Sequence, residues 1–364
     1  MTNQDWYPIL KKLSAGKVFI TSLLIIGVIP SIISILEGNA FKSTEFPQFS
    51  FFGDFIVWPI SFIVIFPILN SLCYIFYTAS TSAINDAISN GVIKFTKKDD
   101  LINKDILLSK SKMKLIIVLI ASLIMTSAYW LGPTQMLQEK TWCYGHYFGF
   151  SLLFYTSVLI WLFESFLILN LLFDFILWTR LAKTIVSDKE RIIFSPILFH
   201  PDKSAGLSIF GSVATKIYLI VFVLIIFVLI QFLEKFIAQP NITTLEVFLK
   251  YKAVPISFLF LISILPLSLI LPLSPFYNEI RVQKQKYLQH LHKKTKDKLM
   301  IYQENILDAS SNDLTINKDD VENIYSAYQH IQSIKEWPFD SKAIITILSS
   351  IILPLASPFL EKIF

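Results

Sequence analysis

Charge is scarce in this chain. Only 16% of its 364 residues are Asp, Glu, Lys or Arg, against about 25% in soluble domains, which excludes a largely solvated surface. Glycine is also sparse, at 10 residues, and cysteine sparser, at 2. No Gly-rich phosphate loop and no Gly-x-Ser-x-Gly elbow occurs. Cys73 falls inside an apolar run and Cys143 outside one, so the two are not expected to meet as a disulfide. His and Cys nowhere take metal-site spacing, and Cys143-Tyr144-Gly145-His146 offers only two donors. The expectation is a protein with no catalytic, cofactor or metal site.

What the chain has instead is apolar length. Ile, Leu and Phe fill charge-free windows such as 115–132 and 218–233, each about as long as a bilayer core demands. Six spans follow, at about 18–36, 55–78, 115–132, 148–178, 212–233 and 253–276. A further apolar stretch, 343–360 within a C-terminal segment 342–364, holds Pro354 and Pro358 and is the candidate for a seventh. The fold class expected is all-α, a polytopic transmembrane bundle. The first span follows Lys11, Lys12 and Lys17 like a signal peptide, but its apolar run is too long and no cleavage site follows, so it reads as an uncleaved anchor.

The basic residues orient the bundle. If six spans alternate, 26 of the 32 Lys and Arg residues fall on one side. Basic residues in short loops stay cytoplasmic. The N-terminus, the 179–216 loop and the 277–341 segment are therefore expected in the cytoplasm, with the protein in a cell membrane. The Ile- and Lys-rich composition points to a bacterial inner membrane. This bias accounts for the net charge of +5 and implies no nucleic-acid partner. Asn241-Ile242-Thr243 is an external glycosylation acceptor only in a host that glycosylates.

Residues 277–307 carry a helical stripe of Ile280, Gln283, Tyr287, Leu291, Thr295, Leu299, Tyr302 and Ile306. After a polar loop, Asn317 can cap a second helix with Val321, Ile324, Tyr325, Tyr328 and Ile331 on one face. The pair is expected to fold as an antiparallel hairpin over 277–341. The basic run Arg281–Lys298 reads as a topology signal that also touches anionic lipid. A cytoplasmic protein partner or a second copy of the chain is the other occupant of this face.

Between spans four and five lies His200-Pro201-Asp202-Lys203, followed by Gly206 and Leu207. Pro201 fixes its own backbone, Asp202 can accept neighbouring amide protons, and Gly206 permits a positive φ. The bland reading is a rigid turn leading into span five. The sharper one is a ligand or partner loop built from His200, Asp202, Lys203 and Gly206. His-Pro-Asp is also the signature with which J-domain co-chaperones engage Hsp70, but spans four and five leave no room for the other helices of such a domain. Together with Trp337-Pro338-Phe339-Asp340, the loop resembles a family of bacterial multi-pass inner-membrane proteins without established activity. In that family Gly-Gly-Leu stands where this chain has Ala205-Gly206-Leu207. The resemblance implies topology and no chemistry.

Span four holds Glu164, Asn170 and Asp174, and Lys216 begins span five at similar depth to Asp174. Ionisable groups in lipid are costly and face protein or water. An Asp174–Lys216 bridge is expected, with Asn170 one turn away on the same face. Glu164 lies about 20 Å from the cytoplasmic edge and is expected to be neutral and bonded to a residue such as Asn70, or to line a hydrated path. Two functions remain: a membrane sensor, effector or scaffold, and an ion or proton channel or transporter using Glu164. Proline at 255, 266, 272 and 275 would favour the second by breaking span six.

Overall fold

The computed structural model describes residues 14–38, 40, 57–96, 112–131, 152–190, 192–200, 202, 204–238, 253–307 and 318–337. The 343–360 stretch, Cys143, Asn317, Pro201, Lys203 and Pro338–Asp340 lie outside them. Helices dominate. They are α1 (Ala15–Leu36), α2 (Ser61–Ser89), α3 (Lys112–Leu131), α4 (Leu152–Ser187), α5 (Ser208–Ala238), α6 (Ala253–Leu307) and α7 (Lys318–Ser333). Five of them, α1, α2, α4, α5 and α6, are long and apolar enough to cross a membrane, and α3 carries a shorter apolar window, Met113–Ser127. This is the architecture of a multi-pass, helical membrane protein.

The chain is mostly helical, consistent with an all-α bundle, with one small addition: β1 (Ile93–Phe95) pairs antiparallel with β2 (Ile192–Phe194) in a short ribbon. Helices α2 and α4 continue beyond the apolar spans that end at 78 and 178, to Ser89 and Ser187, because neither Pro nor Gly interrupts them there. One expectation changes. Span six is not broken at its prolines; α6 continues through Pro266, Pro272 and Pro275 for 55 residues.

Proline acts elsewhere. Pro30 and Pro67 each follow a π-helical turn, Leu23–Val28 in α1 and Ser61–Ile65 at the start of α2. A proline ring clashes with the carbonyl four residues back, here Ile26 and Ile63, and a widened turn removes the clash. The two π turns pack on each other. A Cβ on Gly27 would lie 3.2 Å from the Ile63 Cα, so only glycine lets them approach this closely.

Helix α5 packs along α6 and α2, α3 along α4, and α1 along α2. One apolar cluster gathers Phe62, Phe66, Trp161 and Phe227, with Phe66 edge-on to Trp161 at 5.8 Å. The larger cluster reaches the other end of α4 and includes the ribbon, with Phe276 4.5 Å from Phe210 and 5.5 Å from Phe194. Beyond Phe276, α7 lies antiparallel against α6: Tyr328 Oη donates to the Leu288 carbonyl, and Lys284 Nζ to those of Gln332 and Ile334. Ile280, Leu288, Leu291 and Thr295 make the packed face, while Tyr287 and Tyr325 stay exposed.

Candidate functional site

Two polar regions stand out, one at the ribbon end of the bundle and one inside it. At the ribbon end, the carboxylate of Asp202 organises the loop. Its Oδ1 accepts from the amides of Ser204 at 2.9 Å and Gly206 at 3.0 Å, and its Oδ2 from Ser208 at 3.2 Å. Ser208 begins α5, so the same carboxylate caps that helix. Burial pushes the Asp202 carboxyl up, but the amide bonds and the Ser208 hydroxyl outweigh it and hold the pKa at about 2. The loop is tied down on its other flank by Ser195 N–H to the Val92 carbonyl and Ile197 N–H to that of Ala205.

Gly206 has φ +80°, and a Cβ there would stand 2.8 Å from Val92 Cγ2. Ala205 is also left-handed, at φ 56°. His200 folds back on its own loop: Nδ1 lies 3.0 Å from Asp202 Oδ1 and 3.3 Å from the Asp202 amide. The two contacts need opposite states of Nδ1: without a hydrogen it accepts from the amide, and with one it donates to the carboxylate. The side chain that does reach out is Phe199, 56% exposed. It stacks on His330 of α7 at 5.1 Å and meets Tyr287 of α6 edge-on at 6.5 Å. Trp337 stacks on Tyr277 at 4.6 Å, so the two motifs that are far apart in sequence converge on one stretch of α6. Beside them, Gln283, Lys286, Tyr287 and His290 line a depression of about 300 Å³. Lys203 lies outside the described residues.

Inside the bundle the expected Asp174–Lys216 bridge is absent. Asp174 pairs with Lys114 of α3, only 4% exposed, and also accepts from Tyr77 Oη at 2.8 Å. Asn170 donates to that same hydroxyl. Lys216 instead donates to the Ser212 hydroxyl at 2.6 Å and carbonyl at 3.2 Å in its own helix. Local reach decides this: the serine is one turn back, whereas Lys114 faces Asp174 across a packed helix pair. Glu164 is fully buried and accepts at Oε1 from Asn70 Nδ2 at 3.0 Å; the same amide nitrogen lies 3.3 Å from Ser22 Oγ. Asn70 and Tyr77 are seven residues apart on α2, so the two networks are stacked about 10 Å apart.

Sequence reasoning missed Lys114, Tyr77 and Phe199. Lys114 could have been found: it opens a stripe of Lys114, Val118, Ser122 and Thr126 at four-residue spacing, all buried while the rest of α3 exposes large aliphatics. Among the described residues no group of three or more His, Cys, Asp or Glu could hold a metal. Comparison with known protein families, with curated proteins and with solved structures finds no match to this chain, so the residues themselves carry the functional reading.

Proposed function

We propose that this protein is an integral membrane sensor, effector or scaffold. Its interaction face is the His200 loop joined to the α6–α7 hairpin, on the cytoplasmic side of a bacterial inner membrane. The observation that supports this reading is the contact of Phe199 with both His330 and Tyr287. A rigid loop between two spans is thereby fixed to a helical hairpin, and exposed aromatics remain at the junction. Aromatic side chains at such a spot are typical anchors for a protein partner.

The length of α6 narrows the anionic-lipid role. At about 1.5 Å per residue, Lys298 lies about 33 Å along the helix from Phe276, several screening lengths of about 8 Å. Arg281 is exposed and remains within reach of headgroups, Lys284 is tied to the Gln332 and Ile334 carbonyls, and the distal basic residues are left for a soluble partner or a second copy of the chain. The His-Pro-Asp triplet is assigned to the turn and not to Hsp70 docking, because Asp202 is committed to three amides.

Photo-crosslinking residues placed at Phe199 and Tyr287 in intact cells test the reading. A discrete adduct at both sites, missing from a lipid-facing control at Leu123, supports it. Adducts with lipid alone would sink it, as would ion flux through liposomes holding the purified protein. Labelling of Gln289→Cys by an impermeant reagent in intact cells, in a background lacking Cys73 and Cys143, would overturn the orientation.

A further inference from the structure

The Glu164 network has a property that packing alone does not require. Glu164 is fully buried, and among the described residues only one of its oxygens is satisfied: Oε1 accepts from Asn70, while Oε2 has no hydrogen-bond partner there. The Asn70 amide has two hydrogens, and its nitrogen lies within reach of Glu164 at 3.0 Å and Ser22 at 3.3 Å. Among the described residues Asn70 Oδ1 has no partner. A carboxyl carrying a proton on Oε2 needs one donor at Oε1, which it has, and one acceptor for its own hydrogen, which Oε2 lacks among the described residues. An ionised carboxylate needs donors at both oxygens. Within this cluster the second donor is the amide hydrogen now turned toward Ser22.

Ser22 is the residue at which the π turn Leu23–Val28 begins. That turn touches the second π turn, Ser61–Ile65, at Gly27. A π turn differs from an α turn by one inserted residue, so converting one to the other shifts the downstream helix by a discrete step. A titratable group is thus connected through one amide and one hydroxyl to the π turn of α1.

The depth is consistent from two directions. Ser22 lies seven residues, about 10 Å, from Ala15 and about 21 Å from Leu36. Glu164 lies about 18 Å from Leu152, whose amide donates to Glu37 beside Leu36. The site is therefore inside the apolar layer and away from both surfaces.

We propose that Glu164 is a proton-binding switch, read out through Asn70 and Ser22 by the paired π turns of α1 and α2. This rests on the sensor reading above and names the proton as its stimulus. The neighbouring elements leave few competitors. Helix α2 offers the buried Cys73 and Tyr77, bonded to Asp174. Helix α3 offers Lys114, committed to Asp174. Helix α1 has Lys17 near its start and Glu37 just past its end, α5 has Lys216 and Tyr218 with Glu234 and Lys235 near its far end, and α6 has no ionisable side chain between Ile256 and Pro275.

Full-length protein in lipid nanodiscs tests this, with a trifluoromethyl-phenylalanine probe at Leu24 that leaves Cys73 in place. A protonated-carboxyl infrared band lost in Glu164→Gln should disappear as the pH is raised. The fluorine spectrum should change with the same midpoint, and Glu164→Gln should stay in its low-pH form throughout. Ser22→Ala should keep the infrared titration and lose the fluorine response, which keeps the test alive if Glu164→Gln does not fold. A band that does not titrate, or a fluorine response surviving in Ser22→Ala, overturns the proposal. So does proton leak in liposomes that vanishes in Glu164→Gln, since that is transit and not switching. Crosslinking at Phe199 and Tyr287 at fixed pH reads the sensor face separately, so the two ideas fail independently.

Discussion

Asp202 shows how much one side chain can fix. Three amide hydrogen bonds to a carboxylate hold the loop and the start of α5 together, so Asp202→Ala should lower stability by about 2–3 kcal/mol. Its folded pKa, about 2, lies below the unfolded value of about 3.9. The sign follows: the contribution is complete above about pH 4 and is lost as pH falls toward 2. Melting temperatures of the parent and Asp202→Asn, followed downward from neutral pH, should converge over that interval; a constant gap would contradict it. Gly206→Ala should be as damaging, at about 2–3 kcal/mol, since a positive φ and a Cβ 2.8 Å from Val92 act together. The turn was legible in the residues themselves, because Asp and Gly announce the conformations that they favour. The left-handed Ala205 was not, since alanine carries no such signal.

At the scale of elements, the sequence announced where helices exist better than where they end. Apolar runs mark the portion that meets lipid and do not say that α4 reaches Ser187; the stripe over 277–307 did announce a helix ending there, and what it left open is that this helix continues span six without a break at Phe276. The prolines of span six looked like breaks and are not, whereas those of the first two spans act just upstream by widening a turn. Gly27 is the test of that account. Gly27→Leu should force α1 from α2, and thermal unfolding in nanodiscs should show a loss of about 2 kcal/mol or more. The α4 terminus is held differently, by Glu37, whose carboxylate accepts from the amides of Leu152 at 2.6 Å and Leu153 at 3.1 Å. Glu37→Ala should cost about 1 kcal/mol, with Glu37→Asp failing to restore it if reach matters. No spacing rule links residues 115 positions apart, which is why this cap was invisible beforehand.

For the whole molecule, the apolar effect sets a bundle inside a bilayer but does little to choose neighbours within it, because lipid is as apolar as leucine. Polar pairs make that choice here. Glu164, Asn70 and Ser22 join α4, α2 and α1, and Lys114, Asp174, Tyr77 and Asn170 join α3, α4 and α2. Helix α3 depends on this most. Its exposed side is Met113, Ile116, Ile117, Ile120 and Ile124, and what it turns inward is small or polar. Removing one member of a buried ion pair strands the other, at about 3–5 kcal/mol, whereas replacing both with apolar groups can be close to neutral. Lys114→Leu and Asp174→Leu should therefore each unfold or detach α3 in nanodiscs, and the double replacement should recover at least half of the loss. Equal, additive losses would mean that the pair does not hold α3 in place, and the shape of the Val118, Ser122 and Thr126 stripe would have to do so alone.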